Sequence, residues 1–370
     1  VNALDVAVNL LWLAPGRVGG SEQYLVRQLA GLPPDSGVAP RLMCQRAFVT
    51  AHPDLADRYP TQVVPFDRDW RGTRIIAEHT WLAARSRNAD VVHHGGGTVP
   101  VAGPRPILLT VHDLQYLAYP DYFSTARRTY LRWMVPRSVR RAAVVAVPSA
   151  FVRETVIDAF HVSADRVVVV PHGVPDATTV DDVAIAAVRD RFGLGSRPYL
   201  VYPAITHPHK GHAALVEMMT ALDGDLALVL TGGAGAADAE VMSAIHDRGV
   251  AGRVVRTGRV PDAERDALIA GAAAMVFPSE YEGFGAPLVE AMTFDTPIVS
   301  SAQPAVREVV GDAAVLVDAG AGGESWAAAV AEALSRRQEL VTAGRIRRRQ
   351  FTLEASGSAL AGAYRQAACG

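Results

Sequence analysis

The chain has 370 residues, 49% of them hydrophobic and 20% charged, which is enough to bury large cores and favours two domains over one. A formal charge of −2 gives no global pull toward nucleic acid, and no apolar run reaches the length of about 18 residues needed to cross a bilayer. Cys44 and Cys369 stand far apart without a CxxC spacing, which excludes a disulfide framework or cysteine zinc site. The start "VNALDVAVNLLWLAPGRVGG" lacks the basic opening of a signal peptide, so a cytoplasmic protein is expected.

In the first half, "VAVNLLWL", "RLMCQ", "TQVVPF", "DVVHH", "PILLTV", "AAVVAVP" and "RVVVVP" are short β-rich runs separated by amphipathic stretches, the rhythm of βα units. The first run leads into "APGRVGGSEQYLVRQL", a glycine loop before an amphipathic helix. Gly19 and Gly20 would let backbone approach a ligand there, and Ser21 is the expected helix cap. The loop is neither a P-loop nor a GxGxxG fingerprint. "HHGGGTVP" looks like an esterase oxyanion loop, but the chain has no GxSxG elbow. "ILLTVHDLQY" sets His112 and Asp113 at a strand end, where the ordinary reading of the histidine is a capping neighbour of Asp113. "RRTYLRWMVPRSVRR" interleaves Tyr130, Leu131, Trp133 and Met134 with arginines. It reads either as a solvated helix face or as a surface laid against anionic lipid.

Turn formers and aspartates interrupt the pattern at "PHGVPDATTVDD", and the rhythm restarts with "YLVYPA", "DLALVLTGG", "RVVRTG", "AAMVFP", "TPIVS" and "AAVLVD". The expectation is an α/β chain of two Rossmann-like, doubly wound parallel-sheet domains, residues 1–177 and 178–352. A closing helix over 353–370, within and after the segment "FTLEASGSALAGAYRQAA" that starts at Phe351, would cross back onto the first domain. Ligands of such sheets lie beyond the carboxyl ends of the strands, so loops of two facing domains would line a cleft.

In "YPAITHPHKGHAALVE", Lys210 immediately precedes Gly211 and a helix. An ammonium there can neutralise a departing diphosphate, although exposure without a role is the usual fate of lysine. The H-x-H pattern keeps a metallohydrolase as a rival of a different class, without an HExxH or a nearby carboxylate cluster to support it. "TGGAGAAD" is a partial dinucleotide fingerprint with Asp238 where the last glycine belongs, which argues against a dehydrogenase. "RIRRRQ" reads as a solvated face.

"PSEYEGFGAPLVE" carries Glu282 and Glu290 on either side of a glycine turn that opens a helix. Gly283 and Gly285 permit unusual backbone angles, Pro287 suits a helix start, and the amides of that start favour a phosphate. Carboxylates would repel phosphates, so the two acids suit hydroxyls, a sugar on one side and a ribose on the other. An isolated E-x7-E pair is more often a dipole-complementing helix acid and a solvated loop acid.

The surrounding "FPSEYEGFGAPLVEAM" resembles the donor signature of retaining glycosyltransferases of family 4, which have the two-domain GT-B fold. The resemblance implies an acceptor-binding first domain and a donor-binding second one. Glu282 would be the sugar ligand and Glu290 the ribose ligand, with Phe284, Gly285, Ala286, Pro287 and Leu288 forming the diphosphate turn. By the same resemblance Gly19 and Gly20 belong to the loop beside diphosphate and acceptor, Lys210 is the diphosphate cation, and His112 points at the transferred hexose. Arg259 and Val260, in "RVVRTGRVPDAERDALIAGA", lie in the segment whose backbone pairs with the nucleobase. The family's arginine upstream of the lysine is replaced by Ala204, Ile205 and Thr206, so either Thr206, His207 or His209 takes over that phosphate contact or the leaving group is handled with less charge.

The activity implied is retaining, same-face, metal-independent transfer of a hexose, mannose or a related sugar, with no cofactor beyond a GDP- or UDP-sugar donor substrate. The acceptor is a glycan, glycolipid or small molecule, the wording lying nearest the mannosyl- and hexosyltransferases of polysaccharide or glycolipid assembly. Nucleic acid is not an expected partner. Peripheral contact with the inner face of an anionic membrane remains open, and an epimerase of the same fold is the alternative within the class.

Overall fold

The structure is a computed structural model that describes residues 3–16, 20–65, 71–176 and 180–370. Its contacts divide the chain into two units, Val1–Gly173 with Phe351–Gly370, and Val174–Gln350. The boundary expected at 177/178 lies outside the described residues.

The first unit holds a parallel sheet of β1 (Leu4–Asn9), β2 (Val38–Cys44), β3 (Thr61–Val63), β4 (Val91–His94), β5 (Ile107–Thr110), β6 (Val144–Val147) and β7 (Val167–Val169), in the order β3-β2-β1-β4-β5-β6-β7. Runs such as Ile107–Thr110 and Val144–Val147 are buried at every position because helices cover both faces of the sheet. The helices that matter here are α1 (Gly20–Ala30), α2 (Arg71–Ala77), α3 (Thr125–Arg141) and α4 (Ala150–Phe160). α3 and α4 start where the Ser124 and Ser149 hydroxyls accept the N–H groups of Arg127 and Val152. α1 already begins at Gly20, so Ser21 lies inside its first turn rather than capping it.

The second unit repeats the plan with β8 (Tyr199–Pro203), β9 (Ala227–Thr231), β10 (Val254–Gly258), β11 (Ala274–Phe277), β12 (Ile298–Ser301) and β13 (Ala314–Val317), ordered β10-β9-β8-β11-β12-β13. Its helices include α5 (Asp182–Arg191), α6 (His212–Ala221), α7 (Asp238–Asp247), α8 (Asp262–Ala270), α9 (Ala286–Thr293), α10 (Gly323–Ser335) and α11 (Arg337–Arg347). Strand order reverses between β1 and β4 in one sheet and between β8 and β11 in the other. Crossovers leave in opposite directions at those points and open a crevice at the carboxyl ends.

α12 (Leu353–Cys369) belongs to the first unit, where it packs on β4, β5 and β6. Its small residues have a steric reason. A Cβ on Gly357 would overlap the backbone of Gly31, and a Cβ on Gly31 would overlap the Leu353 carbonyl oxygen, so the end of α1 and the start of α12 meet backbone to backbone. Tyr364 then reaches the core of the sheet, its hydroxyl 2.8 Å from Nδ1 of the fully buried His93.

Candidate active site

In the second unit the reversal of strand order places the loops after β8 and β11 side by side, and these loops carry Lys210 and Glu282. Lys210 Nζ donates to Glu282 Oε1 at 2.6 Å, with the two side chains 22% and 13% exposed. The loops are stitched together below that pair. Tyr202 Oη donates to the Lys210 carbonyl at 2.8 Å and lies 3.0 Å from Ser279 Oγ; Glu280 N donates to the His209 carbonyl at 2.8 Å. Burial raises the Tyr202 pKa well above its ordinary value, so the phenol stays a donor. Gly211 sits at φ +67, where a Cβ would also overlap the Pro278 carbonyl oxygen. Only glycine lets the lysine turn press this closely on the glutamate loop.

α9 starts from Gly285 in a left-handed conformation with Pro287 in its first turn. The N–H groups of Gly285 and Ala286 have no acceptor within the helix by position, and the positive dipole end adds to them. Leu288 does not belong to this open set, because its N–H donates to Gly285 O at 3.0 Å and its side chain is fully buried. Phe284 is buried beside the turn. Glu290, also buried, has Oε2 4.0 Å from Arg265 Nε on α8, and Arg265 is held in turn by Asp262 at 2.9 Å and Asp266 at 2.7 Å. Arg265 escaped sequence reasoning. α8 packs on α9 and begins one residue, Pro261, after Arg259 and Val260, so the turn containing those two residues feeds the helix that braces Glu290. Arg259 is exposed and Val260 partly so.

Thr206 is occupied elsewhere. Its hydroxyl donates to Asp238 Oδ1 at 2.8 Å and accepts from Gly235 N at 2.7 Å, while Asp238 pairs with Arg256. The Arg256 and Thr206 bonds hold the Asp238 carboxyl below its ordinary range. Thr206 is therefore a latch between the loops after β8 and β9, with its one proton already committed, rather than a phosphate contact. Gly232 and Gly235 have no room for a Cβ against Ala204 and Thr206, so the partial fingerprint in "TGGAGAAD" is a packing device.

The histidines of "HPHKGH" do not converge. The rings of His207 and His209 stack at 5.9 Å, whereas His212 is buried against Tyr202 with ring centroids 4.9 Å apart. Among the described residues no group of three His, Cys, Asp or Glu could hold a metal ion, which removes the structural basis of the metallohydrolase reading. Burial lowers the His209 pKa to about 4, helped by Lys210 alongside, so this ring is neutral at physiological pH.

In the first unit Gly19 lies outside the described residues, and Gly20 is exposed with open space where a Cβ would stand. Glu22, unremarked in the sequence, organises the loop after β1: its buried carboxylate accepts from Gly16 N at 3.0 Å and meets His52 Nε2 at 2.8 Å. His112 stands at the end of β5. Its Nε2 donates to the Gly95 carbonyl at 2.9 Å, which makes Nδ1 the ring's acceptor, and Trp12 and Tyr24 flank the ring at 6.1 and 5.2 Å. Gly95 and Gly96 of "HHGGGTVP" leave the space that Leu25 and Trp12 fill. Burial lowers the pKa of His112, and lowers those of His93 and His94 to about 3, so these rings are neutral donors and acceptors rather than cations.

Residues 187–350 match the family described as glycosyl transferases group 1, and residues 18–178 match glycosyltransferase family 4. Over 310 residues the chain is 30% identical to the GDP-mannose-dependent alpha-(1-6)-phosphatidylinositol monomannoside mannosyltransferase of Mycobacterium tuberculosis, covering 77% of this chain and 75% of that one. It is 29% identical over 235 residues to O-antigen chain mannosyltransferase B of Escherichia coli, covering 62% of this chain and 61% of the relative. The match to RfbU of Salmonella typhimurium covers 64% of that relative, so the chain spans less than two thirds of either O-antigen enzyme. Among solved structures, HepE of Anabaena in complex with UDP-glucose superposes with a TM-score of 0.75 at 21% identity, covering 95% of this chain and 97% of that one. Sucrose-phosphate synthase of Thermosynechococcus elongatus gives 0.76 at 20%, covering 98% of each.

Proposed function

The chain belongs to the GT-B glycosyltransferases that join a family 4 domain to a group 1 domain, and from that membership we propose that it is a retaining hexosyltransferase. It takes mannose or a related hexose from a GDP- or UDP-sugar and passes it to a glycan, a glycolipid or a small-molecule acceptor. The observation that carries the reading is the Lys210–Glu282 pair, 2.6 Å apart at the point of strand reversal, beside a helix start headed by Gly285. Mannosyl transfer is favoured by the names of the relatives, and a nucleotide sugar by the UDP-glucose in the HepE complex.

In this proposal the diphosphate sits on the Gly285 and Ala286 amides and draws the Lys210 ammonium onto itself. Glu282 is thereby released to accept hydrogen bonds from the sugar's hydroxyls. Glu290, oriented by Arg265, accepts the ribose hydroxyls. The bond between the anomeric carbon and the phosphate oxygen breaks with its electron pair going to the phosphate. The acceptor oxygen bonds the same face of that carbon, and its proton passes to the departing phosphate oxygen. Neither glutamate serves as a nucleophile, and catalysis is positioning plus charge stabilisation. Lys210 and the helix dipole supply the positive charge that a metal ion would otherwise bring. The neutral His112 of the first unit, through Nδ1, offers an acceptor to a substrate hydroxyl. The reaction takes place in the cytoplasm, and peripheral contact with an anionic membrane gives access to lipid-linked acceptors.

A thermal-shift panel of GDP-, UDP-, dTDP- and ADP-sugars, run with and without chelator, tests the proposal. One donor should raise the unfolding temperature with or without chelator, and the product formed from it with acceptor should keep the donor's anomeric configuration. Stabilisation by none of the four, or product formed without acceptor, would overturn the reading, the second outcome in favour of an epimerase.

A further inference from the structure

The sequence contains two arginine-rich stretches, and the structure treats them differently. In the second unit Arg345 pairs with Asp295, Arg347 donates to the Val309 and Glu308 carbonyls, and Arg348 pairs with Asp176, so three of that stretch's four arginines spend their charge on their own fold. α3 in the first unit carries six arginines and no acid. Among the described residues only Arg128 of that helix meets a carboxylate, Asp121 at 4.0 Å.

α3 also divides its apolar residues. Met134, Val135 and Val139 are buried, and Leu131 packs with them, so two of the four interleaved side chains read as lipid-facing belong to the core. Trp133 and Tyr130 point the other way, 60% and 39% exposed. Tyr130, Trp133, Arg137 and Arg140 share one face by their three-, four- and seven-residue spacings, and the Arg137 guanidinium lies 6.0 Å from the Trp133 ring centre.

That face continues onto a second element. Arg137 donates to the Val101 carbonyl at 3.3 Å, Val101 N donates to His79 Nε2 at 3.1 Å, and His79 Nδ1 donates to the Ile75 carbonyl at 2.8 Å. The path leads from α3 to exposed Val101 and then to Ile75 and Ile76 of α2, both exposed. Two helices and a loop thus present aromatic and branched aliphatic side chains to water beside arginines that lack carboxylate partners. Water alone is a poor partner for an indole exposed to this extent. At a membrane interface an indole or phenol ring lies at headgroup depth, and basic residues gain from anionic lipid.

We propose that this face, Tyr130, Trp133, Arg137 and Arg140 with Val101 and Ile76, docks the protein on an anionic lipid bilayer. The proposal gives the peripheral contact of the proposed function a defined surface, and it rests on that reading only for what the docked protein then glycosylates.

The test is flotation of the full chain with vesicles of phosphatidylcholine alone or mixed with phosphatidylglycerol, at low and high salt, without donor or acceptor. Wild type should float with the anionic vesicles only and detach at high salt. The triple variant Trp133→Ser/Arg137→Ser/Arg140→Ser should lose binding by at least tenfold, since each basic residue near such a surface contributes on the order of a factor of five. Ile346→Ser/Arg349→Ser, on the other arginine stretch, should bind as wild type does. An unchanged thermal shift with the sugar nucleotide in the triple variant certifies its fold and keeps donor binding separate from docking. Failure of wild type to float, equal flotation with neutral vesicles, full binding by the triple variant, or tighter binding to duplex DNA than to vesicles would each overturn the proposal.

Discussion

The carboxyl edges of the two sheets share a reversal of strand order and differ in electrostatics. In the second unit the edge is held by ion pairs, Lys210 with Glu282 and Arg265 with Glu290, so each ion has a counterion in place. In the first unit the corresponding edge holds the contact of Glu22 with His52, and the buried ring of His112, kept neutral by burial, lies between Trp12 and Tyr24. Parallel sheets of this kind leave a crevice wherever the strand order reverses; the residues set there decide its use. Paired charges can be exchanged for phosphate and hydroxyls. A neutral ring can fix orientation without adding charge.

The comparison is broken most directly at Lys210. Lys210→Ala should lower turnover by about 10²–10³, the loss expected when a transition-state charge partner is removed, with a much smaller change in nucleotide affinity. Glu282→Gln should follow the same pattern, while Glu290→Ala should show its loss in calorimetric binding of the nucleotide instead. If His112→Asn proved as damaging as Lys210→Ala, the contrast between the edges would be wrong. The expected loss for that neutral contact is only about threefold to tenfold in kcat/KM.

Gly211→Ala asks whether the charged edge depends on the tight approach of its loops. Strain at positive φ and overlap with the Pro278 carbonyl should cost about 1–3 kcal/mol in denaturant unfolding and lower turnover as well. Gly357→Val makes the matching test of the first unit, with a similar cost to stability and no effect on donor affinity.

The mildest test is acid. His93 and His94 titrate near 6.5 when unfolded and at about 3 when folded, so across that window the unfolded chain binds more protons. Their contribution to stability is complete above pH 6.5 and declines as pH falls toward 3. His93→Asn should flatten the fall in unfolding temperature between those limits. An equally steep fall would place the acid sensitivity elsewhere.

The sheets were legible because buried parallel strands are near-continuous aliphatic runs, and every run read as a strand in the sequence overlaps one. Gly285-Ala286-Pro287 and Lys210-Gly211 could be located as helix starts because glycine and proline act locally. The tertiary partners were not legible. Arg265 has aspartates beside it in the sequence that already account for its charge, and it reaches Glu290 only because α8 packs on α9; Glu22 meets His52 only across the fold. Thr206 looked available to a phosphate because nothing nearby in sequence announces Asp238 as its partner. Ser21 looked like a cap because serine usually is one, yet the helix starts a residue earlier.

The backbone contact between Gly31 and Gly357 bears on how the protein is made. The first unit is completed by a helix that leaves the ribosome only after the whole of the second unit has been synthesised. Until then the nascent sheet has a bare apolar groove where Leu360, Tyr364 and Ala367 will lie, and the imidazole of His93 lacks its phenol. Vectorial synthesis therefore lets the inserted unit fold first and leaves the earlier-born unit open longest, which makes that groove the natural point of attack for chaperones and for aggregation.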